Sequence, residues 1–201
     1  RAAEVTGVQR AVFVSTTAIF SSLRTDSRAR RVNAERLIQS SQLRYTIVRP
    51  TMIYGTPRDR NIWRLINYIR RWPVIPVMGD GMALQQTVYV GDVAEAIIQA
   101  ARSDQAIGHI YNLAGAAPLS VLDLIDTVCR HLRRSVIKLH VSISAAQMLA
   151  RLLYPFGLPL TDEQVKRLNE DKVFDISPAR SDLCYTPLSF SEGLTREMTY
   201  L

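Results

Sequence analysis

Two short β-branched runs separated by a helical stretch constrain this chain more than any other feature of its 201 residues. Arg10-Ala-Val-Phe-Val-Ser15 and Arg44-Tyr-Thr-Ile-Val-Arg49 carry continuous rather than alternating apolar side chains. That is the pattern of strands buried on both faces. Between them, residues 29–41 set Val32, Leu37 and Ile38 among Arg and Glu, which predicts a helix. Strand, helix and strand of these lengths make a βαβ unit, hence two parallel strands joined by a right-handed crossover. An α/β fold around a parallel sheet is the expectation.

The same texture continues downstream. A helix is expected at about 60–72, and Pro73, Pro76, Gly79 and Gly81 mark the next stretch as loop-rich. Thr87–Val90 reads as a strand, and Gly91-Asp92 leads into an Ala-rich helix over 92–103 with Asp92 as its N-cap. Ile110–Ala114 is another strand. Ser120 caps a helix at 121–132, with Asp123 in its first turn, and Val136–Val141 is a strand. Residues 142–154 predict a helix, as do Thr161-Asp-Glu-Gln164 with its acidic first turn and Ser177-Pro178 with proline at the first helical position. The apolar stretch 145–156 reads as core or oligomer contact, with the cover of a greasy pocket as the alternative.

Charge narrows the partners less than it first suggests. Three of the 25 basic residues are lysines (Lys138, Lys166 and Lys172), the rest are arginines, and the net charge is +7. Such a balance suits nucleic acid, a membrane surface or a small anion. A nucleic-acid binder concentrates its charge among base-reading side chains, whereas here arginines run from Arg1 to Arg196. A solvated surface is the expectation, with no nucleic-acid partner. Residues 58–72 are basic and aromatic, so membrane-surface contact is the alternative to the favoured reading, a core stripe of Ile62, Leu65, Ile66 and Ile69. Cys129 and Cys184 are far apart, and His109, His131 and His140 are scattered. No metal-ligand spacing arises, and a reducing, cytoplasmic compartment is the simplest reading.

Four segments in order carry a resemblance. Val14-Ser15-Thr16-Thr17-Ala18 ends one strand in clustered hydroxyls, and Arg49-Pro50-Thr51-Met52-Ile53-Tyr54-Gly55 ends the next. Gly79-Asp80-Gly81 precedes Gln86 through Ala94, and Leu183–Pro187 is followed by Phe190–Leu194. Together they resemble the C-terminal half of an extended short-chain dehydrogenase/reductase of the NAD-dependent epimerase/dehydratase group. The resemblance implies NAD or NADP as cofactor and places the Gly-rich phosphate-binding turn upstream of Arg1, since the chain contains no such motif. The fold expected is the C-terminal half of a Rossmann-type parallel sheet plus a small mixed α/β substrate cap. Residues 1–55 and 87–115 would form the sheet part, and 56–86 and 116–201 the cap.

In this family a Tyr phenolate exchanges the substrate proton, a Lys four residues later lowers its pKa, and a Ser or Thr at the preceding strand end holds the reacting oxygen. Thr16 matches that last position, but Ser27 stands at the Tyr position and Arg31 at the Lys position. A serine hydroxyl titrates far above the phenol value of about 10, and arginine presents a planar fork in place of a compact ammonium. Both departures, with the short Thr16–Ser27 loop, look like the atypical branch that includes NmrA-like regulators and the accessory NAD(P)H-binding subunit of respiratory complex I. By the same carry-over, Ser15, Arg31, Pro50, Thr51, Met52 and Ile53 would line the cofactor site. Tyr54, Arg58, Gln85 and Gln86 would face the substrate, Gln85 replacing an expected pyrophosphate-binding Arg. Two functions remain open at this point. One is an epimerase, dehydratase or reductase acting on a nucleotide-sugar or similar anionic small molecule; the other is a catalytically silent NAD(P)H-binding regulator or assembly subunit. The resemblance also allows a homodimer.

Overall fold

The computed structural model describes residues 5–22, 25–142, 144–145, 148 and 170–201. Strands β1 (Arg10–Val14), β2 (Arg44–Pro50) and β7 (Ile110–Leu113) form a parallel sheet in the order β1-β2-β7, so the crossover pattern is realised. Helix α1 (Asp26–Gln39) makes the crossover. It starts earlier than its apolar residues suggest because Thr25 accepts the Arg28 amide at 3.2 Å and Asp26 sits at the positive end of the helix.

Alternation along the strands sends Val48, Tyr111 and Leu113 to one face of the sheet. There they pack against Val93, Ala96 and Ala100 of α3 (Val90–Arg102) and against Ala179 and Leu183 of α5 (Ser177–Leu183). The small alanines let α3 approach the sheet closely. On the other face Glu35 of α1 reaches Arg49 of β2. Helix α3 begins before Asp92, which is therefore a first-turn residue and not the N-cap; its carboxylate accepts the Leu188 amide at 2.9 Å. Two further short strands, β3 (Ile53–Tyr54) and β6 (Val88–Tyr89), pair in parallel.

The chain divides into two compact units. The first comprises Arg1–Tyr54, Thr87–Ala117 and Phe174–Phe190; the second comprises Gly55–Gln86, Pro118–Val173 and Ser191–Leu201. Phe174–Phe190, which the expected division put with the cap, groups with the first unit. Ile176, Ala179, Leu183 and Tyr185 bury their apolar surface in the core of the first unit, which draws the whole segment into it.

In the second unit, α2 (Ile62–Arg71) buries Ile62, Ile66 and Ile69, so the stripe in 58–72 is a core stripe. Helix α4 (Val121–Leu132) has the expected cap, a reciprocal box between Ser120 and Asp123. The stretch read as a loop contains a strand, β4 (Val74–Met78), paired in parallel with β9 (Ile137–Val141). Pro76 is tolerated because, among the described residues, β4 has one neighbour and needs few ladder donors. Strands β5 (Leu84–Gln85) and β8 (Leu119–Ser120) pair antiparallel. Helix α6 (Phe190–Glu197) follows, its first residue belonging to the first unit and the rest to the second, and a 3₁₀ turn at Met198–Tyr200 comes after it. The helix expected at 142–154, the helix start at 161–164 and the apolar stretch 145–156 lie outside the described residues, apart from isolated positions.

Candidate functional site at the strand ends

Because β1 and β2 run parallel, both end on one edge of the sheet, where ligands of open α/β sheets bind. Four hydroxyls gather there. Ser15 donates to Glu35, Thr17 donates to the Pro50 carbonyl at 3.4 Å, and Thr51 donates to the Leu113 carbonyl at 3.4 Å. Thr16 behaves differently. Its oxygen accepts the Ala18 amide at 3.2 Å and so caps the short 3₁₀ helix Thr17–Phe20. That bond leaves the Thr16 hydroxyl proton able to donate to a ligand oxygen, which is the role the resemblance implies for it.

Beside these hydroxyls lies a buried charge network. Glu35 is 4% exposed, and Arg49 grips both its oxygens, with Nε at 3.1 and 3.2 Å and Nη2 at 2.5 Å. The guanidinium also lies 5.0 Å from the centre of the Phe20 ring. Burial pushes the Glu35 carboxyl up, but the Arg49 and Ser15 hydrogen bonds and the Arg49 charge outweigh it and hold the group below its ordinary value. The sequence placed Arg49 only at the end of its strand and gave Glu35 no role. The available signal was an acid one helical turn after Arg31, on the same face of α1. Asn112, opposite Arg49 in the β2–β7 register, was also missed; its Oδ1 is buried without a hydrogen-bond partner.

The remaining candidates divide. Ser27 and Arg31 are both exposed on α1. Ile53 is 37% exposed, and Arg58 is exposed. Pro50, Thr51 and Met52 line the strand end, but their backbone groups serve the fold. The Thr51 amide donates to Leu113, and the Met52 carbonyl accepts the Val88 amide, each at 3.0 Å. Three substrate candidates are buried. Tyr54 is 1% exposed, its hydroxyl donates to the Phe190 carbonyl, and its ring packs on Tyr89 and Phe190, so it is a core residue. Gln85 and Gln86 are buried. The Gln85 amide is spent on the Glu170 carbonyl at 3.1 Å and on the Lys172 ammonium at 3.2 Å, so it pins 170–172 instead of facing a pyrophosphate.

NAD or NADP is the group this fold implies, and the residues present fit its nicotinamide–ribose end. Thr16 offers a donor and Asn112 an orphaned acceptor near the strand ends, and Arg31 is an exposed cation on α1. Bound there, the nicotinamide would supply a hydride donor or acceptor.

A profile of the family described as "NAD dependent epimerase/dehydratase family" matches residues 1–114. The chain belongs to that family. Among curated relatives of this epimerase/dehydratase chain, a mouse protein named NADH dehydrogenase [ubiquinone] 1 alpha subcomplex subunit 9, mitochondrial, is 27% identical across 100% of this chain and 55% of its own length. An Escherichia coli O157:H7 protein named N-acetyl-alpha-D-glucosaminyl-diphospho-ditrans,octacis-undecaprenol 4-epimerase is 25% identical across 77% of this chain and 48% of its own. The chain thus spans about half the length of these relatives. Among solved structures, the UDP-glucuronic acid 4-epimerase of Bacillus cereus in complex with NAD superposes with a TM-score of 0.77 at 19% identity, over 99% of this chain and 63% of that one. The expectation of a partial Rossmann-type fold with an NAD(P) cofactor agrees with these matches.

Proposed function

We propose that this chain is part of an NAD(P)H-binding member of the family that has lost tyrosine-dependent oxidoreductase chemistry and serves as a regulatory or assembly subunit. One observation carries the reading: Ser27 and Arg31 stand, both exposed, where the resemblance requires the Tyr–Lys pair. Thr16 can hold an oxygen by donating its proton, and Arg31 can keep positive charge near a ribose. Neither offers the anionic oxygen that a phenolate provides as a base: one is a neutral alcohol and the other a donor-only guanidinium. The Glu35–Arg49 pair is spent on itself and on Ser15, which makes it a brace for the strand ends and not a proton carrier. Similarity to the mouse NADH dehydrogenase subunit across the whole chain supports a subunit role.

A second reading has its own support. The 25% identity to the E. coli epimerase, together with the donatable Thr16 proton, favours an enzyme acting on a nucleotide-sugar or similar anionic small molecule. Both readings are separated by calorimetric NAD(P)H binding and absorbance-followed turnover with nucleotide-sugars, performed on the intact protein. Cofactor binding without turnover is the expected result. Sustained turnover by the unsubstituted protein would refute the silent reading, and a gain of activity in Ser27→Tyr/Arg31→Lys would mark it as a decayed enzyme.

A further inference from the structure

The turn that ends α4 gathers more positive charge than the fold uses. Arg133 closes the helix in the left-handed region, with φ at +51°, a conformation for which glycine is the usual residue. Its amide donates to the Arg130 carbonyl at 3.2 Å and the Arg134 amide to the Cys129 carbonyl at 3.0 Å, so backbone groups already serve the last turn of the helix. The chain then leads back into β9, and Arg130, Arg133, Arg134 and Lys138 line one cavity of about 510 Å³ within the second unit. Among the described residues on its wall, Asp126 is the one acid. Its carboxylate meets the Lys138 ammonium at 2.6 Å, which leaves three guanidiniums in excess. Arg130 donates to the Thr127 hydroxyl at 2.8 Å and Arg134 to the Arg70 carbonyl. Those bonds hold two forks in place and leave each with further N–H donors. Among the described residues the Arg133 side chain has no hydrogen-bond or ion-pair partner. Arg133 and Arg134 are both exposed, so a ligand reaches them from solvent.

We propose that this cavity binds a small polyanion built on phosphate groups, with pyrophosphate as its simplest member. Like charges gathered around one space repel, and an anion seated among them turns that repulsion into attraction. Guanidinium forks match phosphate oxygens two at a time. Three of them call for several negative charges, more than one carboxylate brings. The volume falls in the range of small-molecule sites, roughly 300–1,000 Å³, and exceeds what a single ion fills. Arg133 adds a reason of its own. A residue with a Cβ is strained in the left-handed region, and no hydrogen bond or ion pair of its side chain among the described residues offsets that strain. A bound anion does. Thr16 and the other strand-end hydroxyls belong to the first unit, so this site depends on neither functional reading.

The test is titration calorimetry of the intact protein with inorganic pyrophosphate, with NAD(P)H present to fill the cofactor site. Saturable heat is expected, and added salt should weaken the binding. Arg133→Gly should weaken it by about tenfold or more, because a charged hydrogen-bond donor is lost. Its urea midpoint should stay at or above the parent's, because glycine suits the left-handed turn, and this separates binding from folding. Asp126→Asn should tighten binding by about twofold or more, because the wall loses its negative charge. Arg102→Gln, at an exposed arginine of the first unit, should leave it unchanged. No saturable heat, an Arg133→Gly variant that binds as the parent does, or weaker binding in Asp126→Asn would overturn the proposal. So would equal weakening by Arg102→Gln, which marks net charge alone, or citrate bound more tightly than pyrophosphate, which assigns the cavity to carboxylates.

Discussion

Glu197, the last residue of α6, is predicted to make the second unit less stable as pH rises. Its side chain has no exposed surface, and neither carboxylate oxygen has a hydrogen-bond partner. Burial pushes the carboxyl up, the Asp59 charge adds to the effect, and the Gly55 backbone opposes it, for a pKa of about 7 against an ordinary 4.5. A folded-state pKa above the unfolded one means that the native protein holds the extra proton between pH 4.5 and about 7. The stability tied to that proton is fully present below 4.5, is lost as pH rises through about 7, and changes no further above. At about 1.4 kcal/mol for each pH unit between the two pKa values, the loss at pH 8 is roughly 3 kcal/mol. Glu197→Gln keeps the shape and removes the charge. It should therefore stabilise the protein by roughly 3 kcal/mol at pH 8 and by close to nothing at pH 4.5. Urea unfolding followed by tryptophan emission reads the relevant unit, because both tryptophans, Trp63 and Trp72, lie in it. The same stability difference at both pH values, or a Gln variant weaker at pH 8, would refute the reasoning.

Three other substitutions probe the first unit. Arg49→Met leaves Glu35 buried without its partner, which should cost about 3–5 kcal/mol at neutral pH. Because the Glu35 carboxyl sits below its ordinary value, the brace is present above pH 4.5 and is lost as pH falls through the folded pKa, so urea midpoints of variant and parent should converge in acid. Gly115→Ala would set a Cβ 2.1 Å from the Thr87 carbonyl oxygen, a contact with backbone that has to move, and calorimetry should show a loss of roughly 1–3 kcal/mol. Tyr185→Phe removes the hydroxyl that donates to the Ala114 carbonyl at 2.9 Å within the core; the expected loss is about 1 kcal/mol by chemical denaturation.

What the sequence made legible follows from range. The parallel sheet was readable because each strand is a run of neighbouring apolar residues and the crossover length leaves one handedness. Ser120 and Asp123 were readable for the same reason, since a capping box closes within one turn. Glu35 was not, because a glutamate on a helix reads as solvated until the fold sets Arg49, from another element, beside it. Tyr54 and Gln85 were placed at a ligand because they follow strand ends in the family's order. Their actual partners, Phe190 and Glu170, lie far along the chain, and no local pattern announces such pairs.

The pairing of β4 with β9 shows the same limit in a more consequential form. Pro73, Pro76, Gly79 and Gly81 are breakers by any local rule, and Val74–Met78 becomes a strand only because Ile137–Val141 lies beside it. Once paired, the breakers acquire a function in the fold: Pro76 removes a donor from a position that needs none, and Gly79 takes a φ of +64° as the chain turns out of the strand. The pairing also sets which side chains face out. A slip of one residue would bury Ile137 and Leu139 and present Lys138 and His140 instead. The exposed aliphatic face is therefore a property of register and not of composition.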